Sequence, residues 1–316
     1  VGNDPAKGTD RTKMLWAIRT HASLPKLLAP EGYYSFQTGK WWEGSPELGG
    51  FNAAMTHGDP AKGGRHGDEG LKIGRSTMAP IEEAIGEAQK QGKPFFIWYA
   101  PMLPHNPHDP PADLLEKYRP TTDSIHVARY WANVERFDRT IGEVREILAR
   151  RGVEKETLIL YLHDNGWIQS LDNPNVGPRS KRTPYEGGVR TPLIVHWPGK
   201  VAPGRDETTL VTSLDVVPTL LAAAGGKPSE GTPGLNLLSE DRSALQARDA
   251  VFGENYDHDV ASLEEPAKGL QSRWCIVGTE KLIWDDRGGA AELYDLAKDP
   301  DEKENLAAAH GERVAR

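Results

Sequence analysis

The stretch from Thr157 to His196 constrains the fold of this chain more than any other. An apolar run, Thr157-Leu158-Ile159-Leu160-Tyr161-Leu162, ends in His163-Asp164-Asn165-Gly166. A polar block from Ser180 to Arg190 then leads into a second apolar run, Pro192 to Trp197. Runs of this length bounded by turn residues read as buried strands. Strands that carry polar chemistry at one edge point to an α/β domain, where ligands collect beyond the carboxyl ends of the strands. Asp164 and Asn165 at such an edge offer a carboxylate and an amide oxygen, the donor types of a hard-cation site. Asp164-Asn165-Gly166 is equally a good turn, because Asn and Gly tolerate positive φ, so the tripeptide alone leaves both readings open.

The remaining pattern agrees with α/β. Leu24–Leu28 reads as a short helix closed by Gly32, Tyr33–Thr38 as a strand, and Thr77–Gln91 as a helix, while residues 1–20 read as polar and turn-rich. Trp42 to Gly74 is Gly-rich with little periodicity, which predicts a long functional loop. Pro94 to Ala100 is another buried strand. Tyr130, Val134, Phe137, Ile141, Val144 and Leu148 form a helical stripe after it, so strand, helix and the Thr157 strand predict a βαβ unit with parallel pairing. Val216–Ala224 reads as a further helix. Beyond residue 264 two short strands, Arg273–Val277 and Lys281–Trp284, flank a Gly278-Thr279 turn and predict a small antiparallel subdomain. With 316 residues and 37% hydrophobic content, the organisation expected is one large domain, 1–263, and an appendage, 264–316. A net charge of -8 with dispersed Lys and Arg disfavours a nucleic-acid partner. The single cysteine, Cys275, excludes an internal disulfide and a Cys-rich metal site, and reads as a small hydrophobe in a strand. No window approaches the roughly twenty apolar residues that span a bilayer.

Six segments, in order, resemble the sulfatase family of the alkaline-phosphatase-like superfamily. They are Leu24-Pro25-Lys26-Leu27-Leu28 with Thr38-Gly39-Lys40-Trp41; Pro104-His105-Asn106-Pro107; the Asp164-Asn165-Gly166 strand end; Lys181-Arg182-Thr183-Pro184-Tyr185-Glu186-Gly187-Gly188-Val189-Arg190 with its following strand; Asp215-Val216-Val217-Pro218-Thr219; and Glu292-Leu293-Tyr294-Asp295-Leu296. The resemblance implies a mixed, mainly parallel sheet flanked by helices, with a small C-terminal antiparallel α+β subdomain. It implies hydrolysis of sulfate monoesters, of carbohydrates or aryl alcohols, in a periplasmic or secreted protein. Phosphonate monoester or phosphodiester hydrolysis on the same site, and non-catalytic binding of sulfated glycans, are the alternatives.

By the same resemblance Lys40 and Lys181 grip the sulfuryl oxygens, His105 protonates the leaving group, and Asp164 and Asn165 hold Ca²⁺. His108 reads as a loop histidine satisfied by local backbone. Trp41, Trp42 and Trp167 stand where sugar rings could stack, although tryptophans beside strand ends more often pack. The chain departs from the family pattern in two ways. Trp42 stands where many members have a histidine, with His57 and His66 as candidate replacements from the long loop. The family's formylglycine nucleophile arises from a Cys/Ser-x-Pro/Ala-x-Arg motif, and Cys275 and Ser23 both fail it. The adjacent pair Asp285-Asp286 imitates the family's paired-Asp metal motif but reads as a solvated turn. The expectation is that a nucleophile-bearing N-terminal segment, with its strand, belongs to a longer protein, and that this chain alone is inactive.

Overall fold

A computed structural model describes residues 10–41, 44–58, 68–258 and 262–315. Helix α1 (Arg11–Thr20) leads into α2 (Leu24–Leu28), and strand β1 (Tyr34–Gly39) follows. The sequence alone gave α1 no helical signal. Its last turn is closed by a tertiary contact, the Lys26 ammonium donating to the carbonyls of Ile18, Arg19 and His21. β2 is the two-residue Ala53–Ala54, and the described parts of the surrounding loop include short 3₁₀ turns at Pro46–Gly49 and Glu69–Lys72. α3 (Ala79–Lys90) and β3 (Phe95–Ala100) follow, then α4 (Ala112–Tyr118) and α5 (Ile125–Arg150), capped by the Ser124 hydroxyl. β4 (Ile159–Leu162), α6 (Glu186–Val189), β5 (Leu193–His196), α7 (Val216–Ala223) and α8 (Ser243–Gln246) complete the larger part.

β2, β1 and β3 form a parallel sheet in that order, with Tyr34 opposite Phe95 and Gly39 opposite Ala100. β4 pairs antiparallel with β5, Leu162 opposite Leu193, which brings the Asp164 end of one strand beside the Arg190 end of the other. The core lies between β3 and the helices, where Ile73, Ile81, Ile85, Ile147 and Leu148 are almost wholly buried against Ile97, Tyr99 and Ile159. Here the expected parallel pairing within the βαβ unit fails. β3 and β4 lie on the same face of α5, since Phe137 touches Tyr99 at 6.5 Å and Tyr161 at 5.9 Å between ring centroids. Yet no ladder joins them among the described residues, because β3 spends its one ladder on β1 and β4 its one ladder on β5.

The small subdomain is a four-stranded antiparallel meander of β6 (Ala250–Tyr256), β7 (Leu270–Val277), β8 (Glu280–Asp285) and β9 (Glu292–Asp295), followed by α9 (Gly311–Ala315). The β7–β8 hairpin turns at Gly278, φ 59°, where the sequence placed it. β6 joins this sheet from upstream of residue 264.

Candidate active site

Each predicted residue is delivered by a loop beyond the carboxyl end of a strand. Lys40 follows β1 directly. Gly39 has φ 77°, and a Cβ there would stand 1.8 Å from the Ala100 carbonyl oxygen, so only glycine lets β1 end this close to β3. The Lys40 amide then donates to that carbonyl at 2.7 Å.

His105 sits in the loop after β3, with cis peptide bonds before Pro104 and Pro107. Arg75 holds this loop, donating to the carbonyls of Met102 at 2.9 Å and His105 at 3.1 Å and pairing with Asp109. Arg136 holds Arg75 in turn through its carbonyl, at 2.8 Å. The His105 Nδ1 lies 2.8 Å from the Asn106 carbonyl. A carbonyl only accepts, so Nδ1 carries the hydrogen and Nε2 is left for proton exchange.

Asp164, Asn165 and Gly166 follow β4 and dock on the second motif block. The Gly166 amide donates to the Gly188 carbonyl at 2.8 Å, and a Cβ on Gly166 would stand 2.3 Å from the Gly187 oxygen. A Cβ on Gly188 would meet the carbonyl oxygens of Thr183 at 2.4 Å and Ser180 at 2.5 Å. The glycines of the motif are therefore packing requirements. Ser180 is wholly buried, accepts from the Ile168 amide at 2.6 Å, and offers its carbonyl to the Thr183 hydroxyl at 2.6 Å. On either side of Ser180 the chain winds through left-handed Arg179 and Arg182, φ 52° and 72°, conformations that cost about 1–3 kcal/mol each for non-glycine residues. Lys181 is thereby held half-buried, its ammonium 5.8 Å from the centre of the Trp167 ring.

Electrostatics joins the pieces. Burial pushes the His105 pKa below its ordinary value; the Asn106 hydrogen bond opposes this, Lys181 and Lys40 add to it, and Asp164 opposes it. Burial likewise lowers Lys181, with Asp164 opposing and Arg182 adding. Lys40, His105, Asp164 and Lys181 thus act on one another as a single cluster, and Asn165 stands beside it. Asn165 turns its amide nitrogen to the Gly166 carbonyl at 2.8 Å, which leaves Oδ1 as its acceptor. Among the described residues no group of three or more His, Cys, Asp or Glu gathers to hold a metal. The pair fits a hard cation in kind, with two oxygens, and supplies only part of the shell of about six to eight that calcium takes.

Several neighbours had no sequence signal or a weak one. His163 interacts with the Tyr161 hydroxyl, and burial lowers its pKa while Asp164 opposes. Trp167 lies centrally, 6.2 Å from both His105 and His108 and 6.3 Å from Tyr130. His108 is not satisfied by local backbone as expected: both ring nitrogens are buried without a hydrogen-bond partner among the described residues. Trp41 is packed, donating to the Gly44 carbonyl at 2.7 Å and standing edge-on to Phe51. His57 faces buried Asp68 at 3.2 Å; burial pushes that carboxyl up, but hydrogen bonds from Thr56, Gly70 and His57 hold it below its usual range. Trp42 and His66 lie outside the described residues. The pair Asp285-Asp286 is only partly the solvated turn expected: Asp285 is the last residue of β8, opposite Ser272, and accepts from the Arg287 amide at 2.7 Å, while Asp286 opens the turn, is 17% exposed and accepts from the Arg273 guanidinium at 2.6 Å.

A mainly parallel α/β arrangement with charged loops at its carboxyl edge, continued by an antiparallel meander, is the alkaline-phosphatase-like fold. The sulfatase family profile matches residues 14–226, and the profile for the C-terminal region of N-sulphoglucosamine sulphohydrolase matches 176–314. This chain belongs to the sulfatase family. It is 32% identical over 261 residues to a sulfatase of Formosa agariphila and 29% identical over 253 residues to human arylsulfatase A. Those matches cover 73% and 72% of this chain but 47% of each relative, so the chain spans about half the length of the curated relatives it matches. Among solved structures, a Bacteroides thetaiotaomicron sulfatase of glycosaminoglycan metabolism superposes with TM-score 0.71 at 20% identity, covering 92% of this chain and 74% of that one. The phosphonate monoester hydrolase of Agrobacterium radiobacter shares the fold with TM-score 0.66 at 18% identity, covering 93% and 78%.

Proposed function

We propose that this chain carries the anion-binding and leaving-group half of a sulfuric ester hydrolase acting on carbohydrate sulfates. The observation that carries the reading is the cluster itself: one imidazole with a free Nε2, within electrostatic reach of two lysines and a carboxylate, at the sheet edge where ligands bind. Lys40 and Lys181 neutralise the sulfuryl oxygens as charge develops. Protonated His105 gives its Nε2 proton to the bridging oxygen as the sulfur–oxygen bond breaks, so the alcohol leaves neutral. Arg75 keeps that imidazole in place. Asp164 and Asn165 are the residues here that would hold Ca²⁺, which when bound would add a Lewis acid at the sulfuryl group. The similarity to a glycosaminoglycan-metabolising protein favours a sugar as the alcohol.

The formylglycine nucleophile and the remaining calcium ligands are assigned to a segment beyond these residues. The edges of β3 and β4 that carry no ladder among the described residues, both seated on α5, support that assignment, since one inserted strand would join the two sheets into one. The test is sulfate release from a sulfated monosaccharide by this chain and by a form extended on its amino-terminal side to the relatives' length. The extended form turns over and this chain does not; release by this chain alone would overturn the division of roles.

A further inference from the structure

Beside the cluster lies a cleft of about 470 Å³, lined by Asn106, Pro107, His108, His126, Arg129 and Pro174, that the chemistry above does not use. Three segments meet there: the His105 loop, the first turns of α5, and the loop after Trp167. Arg129 is exposed, and among the described residues its guanidinium makes neither an ion pair nor a hydrogen bond. His126, three positions earlier on the same helix face, has no side-chain partner among them either. No carboxylate lines the cleft, and the nearby Asp109 is already paired with Arg75 and Arg136. One wall is the ring of His108, kept neutral by a pKa near 4, chiefly through burial. That ring lies 5.5 Å from Tyr130 and edge-on to Trp167, and Trp167 is the ring beneath Lys181. A single tryptophan therefore separates the cleft that holds the Arg129 guanidinium from the Lys181 ammonium.

We propose that this cleft is a second anion subsite, which takes a carboxylate or a second sulfate carried by the sugar next to the one being desulfated. Arg129 grips the group through its planar fork, His126 adds a donor, and the sugar between the two anions lies against Trp167 and His108. The substrate class is then a polyanionic oligosaccharide. The inference rests on the reading of Lys40 and Lys181 as the sulfate site, and its test separates the two.

Binding to this chain is measured calorimetrically with three disaccharides: one carrying a single sulfate, one carrying that sulfate and a neighbouring carboxylate, and one carrying two sulfates on neighbouring sugars. The wild-type chain binds at least one dianionic probe about tenfold more tightly than the monosulfate, a difference of about 1.4 kcal/mol. The probe that gains identifies the group the cleft reads. Arg129→Gln abolishes that gain and leaves monosulfate binding unchanged, and Arg129→Lys restores part of it. Equal binding of all three probes by wild type, an Arg129→Gln chain that keeps the gain, or no binding of any probe at millimolar concentration would overturn the proposal. If Lys181→Ala binds every probe like wild type while Arg129→Gln loses the gain, the sulfate-site reading fails and the cleft stands.

Discussion

The proposed general-acid role asks His105 to hold a proton where burial and two lysines resist it. Its folded pKa lies below the ordinary 6.5, so the protonated form persists only at lower pH and proton donation is lost as pH rises through that depressed value. For the extended enzyme, kcat/KM on a sugar sulfate should fall on the alkaline side with a midpoint below 6.5; a midpoint above it would contradict the placement of the lysines. His105→Ala should lower kcat by about a hundredfold or more on a sugar sulfate, whose alcohol needs the proton, and far less on 4-nitrophenyl sulfate, whose phenolate leaves unaided. Equal losses on both substrates would remove the general-acid role. Arg75 belongs at this scale as well. It holds the His105 loop through backbone carbonyls 27 and 30 residues away, a contact that no sequence pattern records. Lys40, His105, Asp164 and Lys181 could be named as candidates from sequence, and found near one another in the fold, because each sits in a local motif with a fixed place beside a strand end. Arg75 and the exposed half of the His108 cleft were not, because they depend on which loops meet.

The elements are tied to one another through the Lys181 block. Lys281 of β8 is wholly buried, 2.9 Å from Glu186 and 3.0 Å from Glu302, and Glu302 also accepts from the Glu186 amide at 2.6 Å. The meander thus clamps the helix that follows Lys181. Lys281→Met would leave two carboxylates in that site without their cation, and should cost about 3–5 kcal/mol in urea unfolding. A loss below about 1 kcal/mol would show that the cluster is solvated in practice. Gly188→Ala forces a Cβ against two carbonyls and should destabilise by about 1–3 kcal/mol while weakening sulfate binding, because Lys181 rides on the same turn. At this scale the long apolar runs and the stripe on α5 were readable from periodicity. α1 was not, since its closure comes from Lys26 across a turn, and β6 was not, since Phe252, Glu254 and Tyr256 leave its outer face exposed.

At the scale of the whole molecule, the larger part holds, among the described residues, two separate sheets, β2-β1-β3 and β4-β5, where periodicity predicted one continuous parallel unit. The difference is physical: a helix can seat two strands on one face without a ladder between them, and sequence period reports burial, not partners. β3 shows the consequence, with Trp98 45% exposed in an otherwise apolar strand. Hydrogen exchange should therefore find the outer-edge amides of Phe95–Ala100 and Ile159–Leu162 fast in this chain and slow in the extended form. Protection of both edges in this chain would mean that the slot is closed already. The most direct test of the account is a comparison of 4-nitrophenyl sulfate with 4-nitrophenyl phenylphosphonate as substrates of the extended form, with Lys181→Ala alongside. The account predicts faster cleavage of the sulfate, lost when Lys181 is removed. Preference for the phosphonate, or sulfate cleavage indifferent to Lys181, would contradict it.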